Sequence, residues 1–189
     1  MGCLYGGVIM SSIAVIDTST LINLKNIKCS SLIDYLEYYL CTTIYVIQEI
    51  EKGKEDTKNF YRQLVSKNKI KHIKLSIEDL IEMAQVPEHK KRISNAELSC
   101  FVKAKNFGCI TFCDDKRAIN YAKRYIELGE IVGIIHLIKE AYIRGYIGDN
   151  EVSTYQNRLN KNKFKIQGDL LSEVAAEKLK LLMEGKAIS

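Results

Sequence analysis

The chain has 189 residues, 47% of them hydrophobic and 27% charged, with a net charge of +5, a length and balance that suit one soluble domain burying roughly 70% of its unfolded surface. One proline and no low-complexity tract leave nothing to divide it, and "MGCLYGGVIMSSIAVID" lacks the basic leading region of a secretory signal and meets Asp17 too early for a membrane span. Six cysteines without a CxxC pair fit a reduced, cytoplasmic setting.

In chain order, residues 1–9 read as an extension, because Met10 directly precedes the first strand pattern. "IAVI" (13–16) is that strand, and helical spacing covers about 30–40. "TIYVI" (43–47) reads as a second strand before a helix over 48–66, and "IKHIKL" (70–75) as a third before a helix over 76–85. A helix over 94–106 leads to "CITFC" (109–113), then comes a helix over 115–126 and a short strand pattern, "EIVG" (130–133). Helical periodicity resumes at 134–144, 149–161 and 169–183, broken at Gly145, Gly148 and Gly168. Strand and helix in rotation predict a three-layer α/β/α fold on a mostly parallel sheet of four to five strands. The core spans 13–145 and a helical appendage 146–189.

Such sheets keep their reactive groups beyond the carboxyl ends of the strands. The first strand stops on Asp17, with Thr18 and Ser19 able to start the next helix; "CITFC" stops on Asp114 and Asp115. A helix N-cap explains one aspartate at such a place, but a double Asp exceeds what one cap requires. Glu97 lies three residues after Ser94, the capping-box spacing, on a helix whose Leu98, Phe101 and Val102 face inward. Glu49 follows the second strand, with Glu51 a weaker candidate.

Acids from separate segments on one rim repel one another by about several kcal/mol in a low-dielectric cleft unless a cation compensates. Oxygen-only ligation suits Mg²⁺ or Mn²⁺. His72, His89 and His136 lie apart without zinc-ligand spacing. A carboxylate-held Mg²⁺ needs no protein nucleophile to hydrolyse a phosphodiester. The cationic excess fits a nucleic acid partner and equally a solvated lysine-rich face; it concentrates in "HKKR" (His89 to Arg92) and in "RLNKNKFK" (Arg158 to Lys165).

"IAVIDTSTLINL", "YVIQEIEKG" and "ISNAELSCFVKAKNFGCITFCDDKRAINYAKR", taken in order, resemble the PIN domain family, metal-dependent ribonucleases that include VapC-type toxins. "GIIHLIKEAYIRGYI" is similar to a helical segment of one bacterial and archaeal branch. The resemblance implies a PIN-like fold and a site built from Asp17, Glu49, Glu97 and one or both of Asp114 and Asp115, of which Asp17, Glu97, Asp114 and Asp115 hold Mg²⁺ or Mn²⁺. Ser19, with Thr18 beside it, matches a small hydroxyl residue that orients the acids; Cys113 stands where that branch often has threonine. The implied activity is RNA hydrolysis by metal-activated water, with Lys90, Lys91, Arg92 and Lys116 near the rim to hold RNA, and with an antitoxin protein and a second copy of the chain as partners.

Two rivals remain at this point. "DTSTL" is similar to the start of phosphatases with an aspartyl nucleophile, which want a second acid where this chain has Ser19. A non-catalytic PIN-like module that binds RNA or protein is the alternative from another class. Tyr35, Tyr38 and Tyr39 read as a packing stripe or as a surface for stacking bases.

Overall fold

The computed structural model describes residues 12–86 and 93–185. Five strands, β1 (Ser12–Ile16), β2 (Tyr38–Thr42), β3 (Ile70–His72), β4 (Ile110–Phe112) and β5 (Ile131–Val132), form one sheet in the order β3-β2-β1-β4-β5. Every pairing is parallel, with Ala14 opposite Leu40 on one side and Ile110 on the other. Successive residues Ala14, Val15 and Ile16 are all fully buried, so helices cover both faces of the central strand.

The connecting helices are α1 (Thr18–Ile27), α2 (Ser31–Tyr35), α3 (Ile44–Lys52), α4 (Glu55–Ser66), α5 (Ile77–Ala84), α6 (Asn95–Phe107) and α7 (Lys116–Tyr125); α8 (Ile134–Ile143), α9 (Asp149–Lys161) and α10 (Leu170–Met183) follow β5. Val152, Tyr155, Leu159, Leu170 and Val174 of the last two helices belong to the same core as β1. Arg158 of α9 donates to the Ile27 carbonyl that ends α1. No helix among the described residues is long and apolar enough to cross a membrane.

The second strand lies elsewhere than the sequence suggested. Residues 43–47 are not a strand: Thr43 caps α3, and the strand is "YYLCT", paired to β1 from Tyr38 to Cys41. The helix expected over 30–40 shrinks to the single turn of α2, and the one expected over 48–66 divides at Gly53 into α3 and α4. A run of β-branched residues favours a strand locally, but Val46 and Ile50 at i and i+4 are both buried, a helical pattern that packing selects.

Helix α6 is fastened to α5 by a buried ion pair. Lys103 Nζ lies 2.7 Å from Asp79 Oδ2, and that carboxylate also accepts from Asn106 Nδ2 at 2.8 Å and from Ser76 N at 2.7 Å. Three donors around one buried carboxylate satisfy it, and they hold it charged: although burial opposes the charge, Lys103, Asn106 and Ser76 keep Asp79 below the usual range. The second turn of α6 is fixed separately, by a 2.6 Å hydrogen bond between the Thr43 and Ser99 hydroxyls.

Candidate functional site

β1 sits between β2 and β4, so chain connections leave it toward opposite sides and open a crevice at its carboxyl end. Asp17 is the first residue past β1, and its N–H extends the ladder by donating to Phe112 O at 3.0 Å. Its carboxylate, 1% exposed, caps α1 by accepting from Thr20 N at 3.0 Å and takes the Ser19 hydroxyl at 2.8 Å. Burial pushes its pKa up to about 7, against the opposing pull of Thr20 N–H, the Cys113 thiol and Ser19; the neighbouring Asp114 charge adds to the rise.

Asp114 and Asp115 part company after β4. Asp115 turns to α7 as its N-cap, with Oδ1 accepting from Arg117 N at 2.7 Å and Ala118 N at 3.0 Å. Asp114 points along the crevice toward α1 and α8: Asn23 Nδ2 donates to Oδ2 at 2.9 Å and Ile134 N to Oδ1 at 3.0 Å. Burial raises its pKa, and these two donors resist the rise. Ser19 ties the two strand ends together, because its Oγ also accepts the Asp114 N–H at 2.8 Å.

Glu97 closes the capping box that its spacing announced: Oε2 accepts from Ser94 N at 2.7 Å while Ser94 Oγ accepts from Glu97 N at 3.1 Å. Its pKa is raised by burial first and then, after the opposing Ser94 bonds, by the charges of Asp115 and Glu49. Glu49 stands on α3 rather than after a strand, exposed, with Oε2 accepting from Thr18 Oγ1 at 2.8 Å. The acids feel one another's charge in two groups: Asp17 with Asp114, and Glu97 with Asp115 and Glu49.

Asp17, Glu97 and Asp115 also answer to their capping explanation. Among the described residues no three His, Cys, Asp or Glu side chains already stand together as the ligands of a metal ion. The donor chemistry nevertheless fits a hard divalent cation: every candidate donor is a carboxylate oxygen, and Asp17, Glu97 and Asp114 carry pKa values raised by burial, a cost to the charged form that a cation removes. Glu97 Oε1 and Asp115 Oδ2 are not taken by the caps. Among the described residues the buried Thr20 hydroxyl has no partner in good hydrogen-bond geometry, yet it stands close enough to the Asp114 carboxylate to help hold its pKa down.

Lys116 is exposed in the first turn of α7; Lys90, Lys91 and Arg92, with residues 1–9, lie outside the described residues. Tyr35 and Tyr39 are partly exposed and Tyr38 packs edge-on against Phe112, so the tyrosines are no single helical stripe. Sequence reasoning missed Asn23 and Gly133. A polar Asn23 amid "LINLKNI" was the signal for the first; the second is visible only once α8 meets β4.

Residues 13–179 match the family described as PIN domain. Comparison with curated proteins gives no match. Eleven chains of solved structures match, among them the crystal structure of VapBC2 from Rickettsia felis bound to a DNA fragment from their promoter, at 16% identity and a TM-score of 0.48, covering 64% of this chain and 98% of that one. Since the family match runs from β1 into α10, the chain belongs to the PIN domain family.

Proposed function

We propose that the chain is a PIN-type endoribonuclease dependent on Mg²⁺ or Mn²⁺, and the toxin of a toxin–antitoxin pair. The observation that carries the nuclease reading is the grouping of carboxylates, Asp17 with Asp114 past the ends of β1 and β4 and Glu97 with Asp115 and Glu49, where burial and mutual repulsion raise the pKa values of Asp17 and Glu97. Asp17, Glu97, Asp114 and Asp115 would hold the ion, with Glu49 at its margin. Held by these carboxylates, a divalent ion would supply Lewis acidity for activating water and for neutralising phosphate charge. Ser19 keeps Asp17 and Asp114 in register from either side, and Thr18 restrains Glu49. Of the aspartate pair, Asp115 keeps Oδ2 outside its cap, whereas each Asp114 oxygen accepts one hydrogen bond and would reach the ion through its second lone pair. Lys116, at the same edge, meets the RNA backbone.

The antitoxin, a second copy of the chain as dimer partner and the RNA substrate rest on the resemblance to VapC-type members of the family. A non-catalytic module that binds RNA or protein is the second reading, favoured by the helix-capping bond each of Asp17, Glu97 and Asp115 makes. Cleavage of a mixed RNA panel with Mn²⁺, repeated with Asp17→Asn, decides between them. Loss of cleavage in the variant supports the nuclease; equal activity in both, or none in either, removes it.

A further inference from the structure

Helix α7 carries Lys116, Arg117, Asn120, Lys123 and Arg124 on one exposed arc, roughly a third of its circumference, opposite the buried Ala118, Tyr121 and Ala122. None of the four cations takes part in an ion pair among the described residues. Two ordinary explanations each cover half of the row. Cations in the last turn complement the helix dipole, which accounts for Lys123 and Arg124; in the first turn they oppose it, so the dipole does not account for Lys116 and Arg117. Proximity to the acids accounts for Lys116 and Arg117, but Lys123 and Arg124 lie about 10 Å further along the axis. A bound polyanion accounts for all four.

The row ends at a cavity of about 440 Å³ lined by Lys123, Arg124, Tyr125, Glu127 and Gly129 among others. Tyr125, one turn after the buried Tyr121 and so round the helix from the cations, is 55% exposed where α7 ends and shares that cavity with Lys123 and Arg124; its ring lies 4.8 Å from that of Tyr121, tilted by 47°. An exposed aromatic ring in one cavity with two cations suits the stacking of an unpaired base. The Glu127 carboxylate on the same rim can accept from a base N–H.

We propose that the exposed face of α7 is a track for single-stranded RNA, leading the backbone from the carboxylates at Asp115 to the cavity at the end of the helix, where a base stacks on Tyr125. It deepens the nuclease reading above and rests on it for its direction. A single strand is specified because a duplex keeps its base faces stacked internally, away from Tyr125.

The test is binding of a labelled single-stranded RNA to the full-length protein in EDTA, across a salt series. Lys123→Gln with Arg124→Gln should weaken binding about tenfold or more near 0.1 M salt, and should flatten the log–log salt slope by about 1.4, two phosphate contacts at about 0.7 each. Tyr125→Ala should weaken it about fivefold or more while Tyr125→Phe retains it. Both sites are on the surface, and unchanged urea unfolding verifies the fold. Unchanged affinity and slope in the double variant would overturn the track, as would tight binding of polyglutamate without binding of RNA, the mark of an acidic protein partner. Failure of the nuclease reading is separable: if the track variants lose RNA while Asp17→Asn cleaves like the parent, the track stands and the carboxylate centre falls.

Discussion

Asp114 occupies the space that a side chain at position 133 would need: a Cβ on Gly133 would lie 2.2 Å from Asp114 Oδ1. The backbone at Gly133 is extended, at φ −130°, so glycine is there for room and not for its conformational freedom. Gly133→Ala should therefore destabilise by about 1–3 kcal/mol, by forcing Asp114 off Ile134 N. Urea unfolding measures it, and combining it with Asp114→Ala should recover part of the loss as a coupling energy. A Gly133→Ala variant as stable as the parent would contradict the close approach.

Asp17 should make stability fall as pH rises. Its folded pKa is about 7 and its unfolded value about 3.9, so between the two the folded chain binds more protons and loses stability with each step up, by about 4 kcal/mol at most. Above the folded value nothing further is lost. Asp17→Asn keeps an oxygen to cap α1 and removes the slope. In EDTA it should exceed the parent in stability near pH 8, with the gap narrowing toward pH 5. A variant less stable at both would show that the cap outweighs the burial cost.

Ser19→Ala should cost about 1–3 kcal/mol, because it strands the Asp114 N–H and removes a donor from Asp17 together. Ser19→Thr keeps the hydroxyl and should retain most of the stability. Denaturant melts of the three proteins make the comparison.

How much of this the sequence disclosed depended on whether the signal was local. Asp17, Glu97 and the Asp114–Asp115 pair stand next to their own caps and strand ends, so spacing alone located them. β2 was misplaced because both "YYLCT" and "TIYVI" suit a strand by composition, and only pairing with β1, 26 residues back, selects the first. Asn23 and Asp114, 91 residues apart, meet through tertiary packing that no periodicity encodes. The sorting of Asp114 inward and Asp115 to the α7 cap was likewise invisible, since either aspartate could cap.

Lys103→Met should destabilise by about 3–5 kcal/mol, because it leaves the Asp79 carboxylate buried without its cation. Replacing both partners, Lys103→Met with Asp79→Leu, should cost less than the single change. Chemical denaturation of the pair reads this directly, and a milder effect of the single change than of the double would contradict it.

Calorimetric titration of Mn²⁺ into the metal-free protein, into Asp17→Asn and into Glu97→Gln tests most directly whether the crevice holds a divalent ion. The parent should bind saturably and each variant at least about tenfold more weakly, a loss of about 1.4 kcal/mol. No binding by the parent, or equal binding by all three, would leave these carboxylates as helix caps and nothing more.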